Sequence, residues 1–159
     1  MSLQESALDE SRIFIEKNGA ALDEAEIERV LQSKVNEMEI VRHLGITFGL
    51  GEGGTTEARL ANVLPFHTGG QERKAINGPV LMALLDCVMA TAAIRRMNGA
   101  RCATVEMSTK FMKPATTSCT VALGNVVSAR GTLIFCEGRV VDRRNRSVAI
   151  ATATYIKLD

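Results

Sequence analysis

Asn77-Gly78-Pro79-Val80-Leu81-Met82-Ala83-Leu84-Leu85-Asp86-Cys87-Val88-Met89-Ala90-Thr91-Ala92-Ala93-Ile94 is the stretch whose reading decides the fold. From Pro79 to Ile94 nearly every residue is apolar or small, and Asp86 is the single charge. Gly78 and Pro79 suit a helix entry, because proline at the first helical position gives up an N–H that has no partner there. Arg95 and Arg96 in the last turn, with Asn98-Gly99 beyond, suit an exit. A helix apolar on every face lies in a core or a membrane. This run is shorter than the ~20 residues of a membrane span and carries an acid near its middle. It therefore predicts a helix wrapped by protein, with one carboxylate inside. An unpaired buried charge is costly, so Asp86 needs a partner, a raised pKa or a site to serve.

Working outward, the chain has 159 residues, 46% of them hydrophobic, enough for one domain with its own core. A net charge of +1 gives no electrostatic case for nucleic acid or membrane. Five Phe, one Tyr and no Trp offer no platform for stacking bases. Cys87, Cys102, Cys119 and Cys136 stand singly and lack metal-ligand spacing, with only His43 and His67 to assist them. Their apolar surroundings read as reduced, buried thiols of a cytoplasmic protein. The first residues are neither basic nor followed by an apolar core, so no export signal is expected.

Leu3 to Lys17 reads as a short helix ended by Asn18-Gly19, and Leu22 to Arg42 as a longer one opened by an Asp23/Glu26 capping box. Ile27, Val30, Leu31, Val35, Met38 and Val41 share a face of the second helix. Its other face is rich in Glu, as a solvated face is and a DNA-reading helix is not, and Gly45 is a plausible stop. From Ile46 the period changes to two. Residues 46–50 and 57–63 alternate as strands around a Gly51-Glu52-Gly53-Gly54 turn, which lacks the lysine and helix of a phosphate loop. A loop from Pro65 to Ala75 carries His67 and Gln71. Beyond the apolar helix come four more strands, near 103–113, 117–128, 132–141 and 147–157, with a basic turn at Asp142-Arg143-Arg144-Asn145-Arg146. Strands around one buried helix argue α+β: a curved antiparallel sheet wrapped around the helix, preceded by extra N-terminal helices.

With this layout, the chain resembles the hotdog-fold acyl-CoA thioesterases of the phenylacetyl-CoA type. That family carries His-Gly-Gly at the helix entry and an acid at the ninth position after the His. Here Asn77-Gly78-Pro79 stands at the entry and Asp86 at the ninth position, and Thr104 to Ala115 resembles the family's next strand. The resemblance spans residues 46–156 and divides the chain into a helical extension, 1–43, and a hotdog domain, 44–159. It departs where the family's His is Asn77 and its second Gly is Pro79. Gln71 stands where the family often has Asn, so an amide is kept.

The resemblance implies a hydrolase that frees coenzyme A from an acyl thioester, in the cytoplasm, with no metal or redox cofactor. Asp86 would attack the thioester or activate water, and the Gly78 N–H would polarise the carbonyl. Asn77, Gln71 and Thr104 would complete the site, Thr104 by placing the water or the Asp. Arg130, Arg143 and Arg144, with Arg146, would bind coenzyme A phosphates; a solvated basic turn is the plainer reading. Gly78 and Asp86 lie eight residues apart, ~12 Å along a helix, so both reach one carbonyl only from different subunits. A homodimer is therefore expected, or a tetramer as a dimer of dimers. The alternatives are a non-catalytic acyl-CoA-binding hotdog protein and an acyl-thioester hydratase or dehydratase using His67.

Overall fold

The computed structural model describes residues 16–17, 20–21, 24–69, 75–116 and 121–158. Its centre is helix α3, Gly78–Arg96, laid against a six-stranded antiparallel sheet. The strands are β3 (Ile46–Leu50), β4 (Thr56–Leu60), β7 (Cys102–Phe111), β8 (Val121–Arg130), β9 (Leu133–Val141) and β10 (Ser147–Lys157). They run in the order β3-β4-β8-β9-β10-β7, so β3 and β7 are the edges. This is the hotdog arrangement expected from the sequence. Gly53 and Gly54, with φ of 64° and 82°, turn the chain between β3 and β4 in a backbone region that other residues enter at a cost. Two short ladders complete the strands: β1 (Glu16–Lys17) with β2 (Ala20–Ala21), and β5 (Thr68–Gly69) with β6 (Ala75–Ile76).

The helix keeps one face on the sheet. Val80, Leu81, Leu84, Leu85, Val88, Met89, Ala92 and Ala93 are buried there among Phe48, Ala58, Ile134, Val140 and Tyr155. Two glycines allow the close approach. A Cβ on Gly124 would meet the Val88 backbone at 2.8 Å, and one on Gly138 would meet Met89 at 3.0 Å. The opposite face is less enclosed than an all-apolar helix predicts: Met82 is 39% exposed, and Ala83, Asp86, Cys87 and Ala90 are half-buried. At 19 residues, α3 is also long and apolar enough to cross a membrane, contrary to the sequence reading. Half of its apolar window is buried within the chain, as in the core helix of a folded domain.

The N-terminal part differs from expectation. Leu3 to Ile15, Asp23 and Cys119 lie outside the described residues. Glu16 and Lys17, expected at a helix end, are a strand paired with Ala20–Ala21. Asn-Gly between them suits a tight hairpin as well as a helix stop. The single helix expected over 22–42 is two, α1 (Glu24–Glu37) and α2 (Glu39–His43), broken at Met38 with φ −59° and ψ 133°. The break turns Met38 outward, 51% exposed, while Leu31, Val35 and Val41 stay in the core. Gly45, φ 62°, follows α2 as the expected stop.

Candidate active site

Asp86 sits mid-way along α3 on the rim between helix and sheet, half-buried rather than enclosed. Two hydroxyls meet it. Tyr155 Oη donates to Asp86 Oδ1 at 2.9 Å and lies 3.1 Å from the Asp86 backbone carbonyl. Thr104 Oγ1 donates to the same Oδ1 at 3.1 Å. A bulge brings the two donors to one point. Thr154 pairs with Glu106, but Tyr155 pairs with Thr104, so Val105 is displaced from the ladder and stands 58% exposed. Bulges re-aim side chains in this way next to functional sites.

The surroundings keep the neighbouring groups neutral. Burial pushes the Tyr155 phenol far above its usual range, and the Asp86 charge adds to this, so Tyr155 remains a donor. Burial, then the Asp86 charge, raises the Cys87 and Cys102 thiols to about 11 each. Burial, with a smaller effect from Cys102, raises Cys136 to about 12. All three are free thiols. Cys136 is buried as expected, whereas Cys87 and Cys102 are half-buried. Among the described residues, no group of three or more His, Cys, Asp or Glu could hold a metal ion.

The helix entry is a separate construction. Asn77 is the N-cap of α3, but its side chain does not cap the helix. The Asn77 amide nitrogen instead donates to the Phe66 carbonyl at 3.4 Å, and its Oδ1 lies where a Cβ on Gly69 would be, 2.0 Å away. The Asn77 backbone N–H donates to the His67 carbonyl at 2.8 Å. His67 is fully buried; its Nδ1 accepts the Leu64 N–H at 2.9 Å, and its ring meets Phe66 edge-on at 4.2 Å. Burial lowers its pKa; the Leu44 backbone opposes the shift, and the His43 charge adds to it. The Gly78 N–H follows in the first turn, where backbone donors have no partner within the helix. A Cβ on Gly78 would lie 3.3 Å from the Phe111 ring.

The residues picked from the sequence therefore fall into separate groups. Asp86 and Thr104 touch. Gly78 and Asp86 are at opposite ends of eight residues of one helix, ~12 Å apart, and Asn77 is bound to the 65–69 turn. Gln71 lies outside the described residues. The arginines named for coenzyme A phosphates stand apart in the chain. Arg130 pairs with Leu133 at one end of β9, and the turn holding Arg143 and Arg144 follows Val141 at the other. A nine-residue strand spans ~27 Å, so the two groups stand at opposite ends of β9 within one chain. Within that turn, Asp142 engages Arg146 and, from just beyond the end of β7, Lys113. Tyr155, as the chain's one tyrosine, is the residue that sequence reasoning missed. Its place in the last strand was legible; its reach to Asp86 across 69 positions was not.

Residues 74–149 match the model of the Thioesterase superfamily. No curated protein matches the chain. Among solved structures, it is similar to the Escherichia coli PaaI protein from the phenylacetic acid degradation operon, with 16% identity, a TM-score of 0.70 and coverage of 80% of this chain and 89% of that one. A thioesterase family protein from Silicibacter pomeroyi is 21% identical, with a TM-score of 0.70 over 80% of this chain and 95% of the other. A phenylacetic acid degradation-related protein from Ralstonia eutropha JMP134 is 22% identical, with a TM-score of 0.66 over 80% and 96%. At these identities the likeness is one of fold.

Proposed function

We propose that this chain, which has the hotdog fold and sequence match of the thioesterase superfamily, is an acyl-CoA thioesterase whose active site joins two subunits. The observation that carries the proposal is Asp86, a lone carboxylate on an apolar helix, held by Tyr155 and Thr104 on a face that one chain leaves partly uncovered. In the reaction, water adds across the thioester: its oxygen ends on the acyl carbon, the C–S bond breaks, and the thiolate leaves and takes the proton. Asp86 either draws the proton from that water or attacks first, forming an acyl anhydride that water then opens. The Gly78 N–H, at the positive end of the α3 dipole, stabilises the developing oxyanion. Water, the acyl thioester and the groups of the chain suffice for this reaction.

The two edges of the sheet support the dimer. Along β3, α1 supplies side chains in place of a strand: Gln32 Nε2 donates to the Phe48 carbonyl at 3.1 Å, and Asn36 Oδ1 accepts the Phe48 N–H at 2.9 Å. Among the described residues, nothing pairs with the outer edge of β7, and Val105, Phe111 and Met112 stand 58%, 51% and 62% exposed beside it. An unpaired edge with apolar flanks is a template for another strand. Antiparallel pairing of β7 with its own copy centred on Ser108, with Val105 bulged out as it is against β10, would set Thr104 opposite Phe111 of the partner subunit. Since Gly78 packs on Phe111 and Asp86 on Thr104, that pairing brings Asp86 to Gly78 of the partner subunit. Arg143 and Arg144, exposed on the turn after β9, are candidates for coenzyme A phosphates. The free thiols fit a reducing, cytoplasmic setting.

The test is thiol release from acetyl-, hexanoyl-, palmitoyl- and phenylacetyl-CoA, with wild type beside Asp86→Asn. The expected result is hydrolysis of at least one substrate and a fall of about 100-fold or more in folded Asp86→Asn. Tight binding without release, from any of them, would point to the non-catalytic acyl-CoA-binding reading instead.

A further inference from the structure

We infer that Tyr155 is a positioning residue: with Thr104 it holds one oxygen of Asp86, Oδ1, and so turns the other, Oδ2, toward the substrate. The inference rests on the thioesterase reading above and adds to it which oxygen reacts and what aims it. Among the described residues, both donors to the carboxylate end on Oδ1, at 2.9 Å and 3.1 Å, and no donor reaches Oδ2. A carboxylate free to rotate about χ2 presents either oxygen, whereas one pinned by two hydroxyls from one side presents a fixed one. The pins are themselves rigid. Tyr155 is fully buried in β10, and its hydroxyl also lies 3.1 Å from the Asp86 carbonyl, so it is fixed to the helix backbone as well as to the side chain. Thr104 is β-branched and stands at the β7 bulge that aims it. Pre-set alignment of a reacting group is worth large factors in rate, and a small misplacement loses them. A pin of this kind acts on kcat rather than on substrate affinity, because neither hydroxyl needs to touch the acyl chain.

The experiment has two independent readouts. In the first, kcat and KM for the CoA esters named above are measured for Tyr155→Phe, Thr104→Val, the double variant and Thr104→Ser. The expected result is a fall in kcat of about tenfold in each single variant and about 100-fold in the double, with KM within about twofold. Thr104→Ser, which keeps the hydroxyl, should recover most of what Thr104→Val loses. The second readout is tyrosine emission. With one Tyr and no Trp in the chain, fluorescence reports Tyr155 alone. A phenol bonded to a carboxylate is quenched by excited-state proton transfer, so emission should rise in Asp86→Asn, or in Asp86→Ala should the first variant not fold. Folded Tyr155→Phe and Thr104→Val with wild-type kcat, or with a changed KM alone, would overturn the inference while leaving the hydrolase standing. If the wild type releases no thiol, the hydrolase reading falls, and emission alone decides the pin: a rise in the Asp86 variant supports it, and unchanged emission overturns it.

Discussion

His67 shows how much a single residue can hold in place. Its carbonyl receives the Asn77 N–H, and its ring nitrogen receives the Leu64 N–H, so one buried residue ties the 65–69 turn to the start of α3. The ring's half of the tie depends on a neutral imidazole, since a protonated Nδ1 has no lone pair for Leu64. Burial depresses its pKa below 6.5, so between the folded value and about 6.5 the unfolded chain binds more protons. Stability from this residue is therefore fully present above about 6.5 and is lost as pH falls through the folded value. The expected outcome is a melting temperature that drops from about pH 7.5 to about pH 5 more steeply in wild type than in His67→Asn. Scanning fluorimetry across that range checks it, and equal slopes would remove His67 from the account. Asp86 was legible in the sequence because a lone charge in an apolar run has to be explained. The roles of His67 and Tyr155 were not legible, because both come from contacts that only the folded backbone creates. A loop histidine and a strand tyrosine carry no local signal of what they will touch.

At the scale of elements, the strongest local signals gave the best bounds. Gly78-Pro79 opens α3 and Arg95-Arg96 closes it, and β9 and β10 fall within a residue or so of their alternating patterns. The break at Met38 escaped a periodicity reading because Leu31, Val35 and Met38 keep helical spacing through it; the division comes from how α1 docks on β3. That docking predicts a measurable cost. Asn36→Ala removes the acceptor for the Phe48 N–H and uncovers a sheet edge. Urea unfolding should show a loss of about 1–2 kcal/mol, and the variant should aggregate at lower concentration than wild type. The helix–sheet contact predicts a second. Gly124 sits where a Cβ would lie 2.8 Å from the Val88 backbone, and Thr56 Oγ1 bonds the Val88 and Gly124 carbonyls at 2.6 and 3.2 Å. A methyl there meets backbone, which cannot swing aside. Gly124→Ala should cost about 1–3 kcal/mol in the same assay, while Gly131→Ala, where no atom lies within 4 Å, should show only the strain of its positive φ.

At the scale of the whole molecule, the uncovered face of α3 and the open edge of β7 lie on the same side as Asp86, while the opposite edge of the sheet is closed by α1. Such an asymmetry favours a closed twofold dimer over a fibre, because only one edge is available to pair. The sequence already implied two subunits through the ~12 Å between Gly78 and Asp86; the fold adds the strand that would bring them together. The prediction is complementation between two dead variants. Asp86→Asn lacks the carboxylate. Gly78→Pro lacks the backbone N–H while keeping a φ that the first turn of a helix accepts. Each alone should be inactive as a homodimer. Refolded together in equal amounts, they form mixed dimers in about half the population, and each mixed dimer holds one intact site of two, so about a quarter of wild-type activity should return. If Gly78 and Asp86 served the same carbonyl within one chain, no mixture would recover anything. Sedimentation of the mixed sample confirms that dimers have formed, so that a null rate counts against the shared site and not against the assembly.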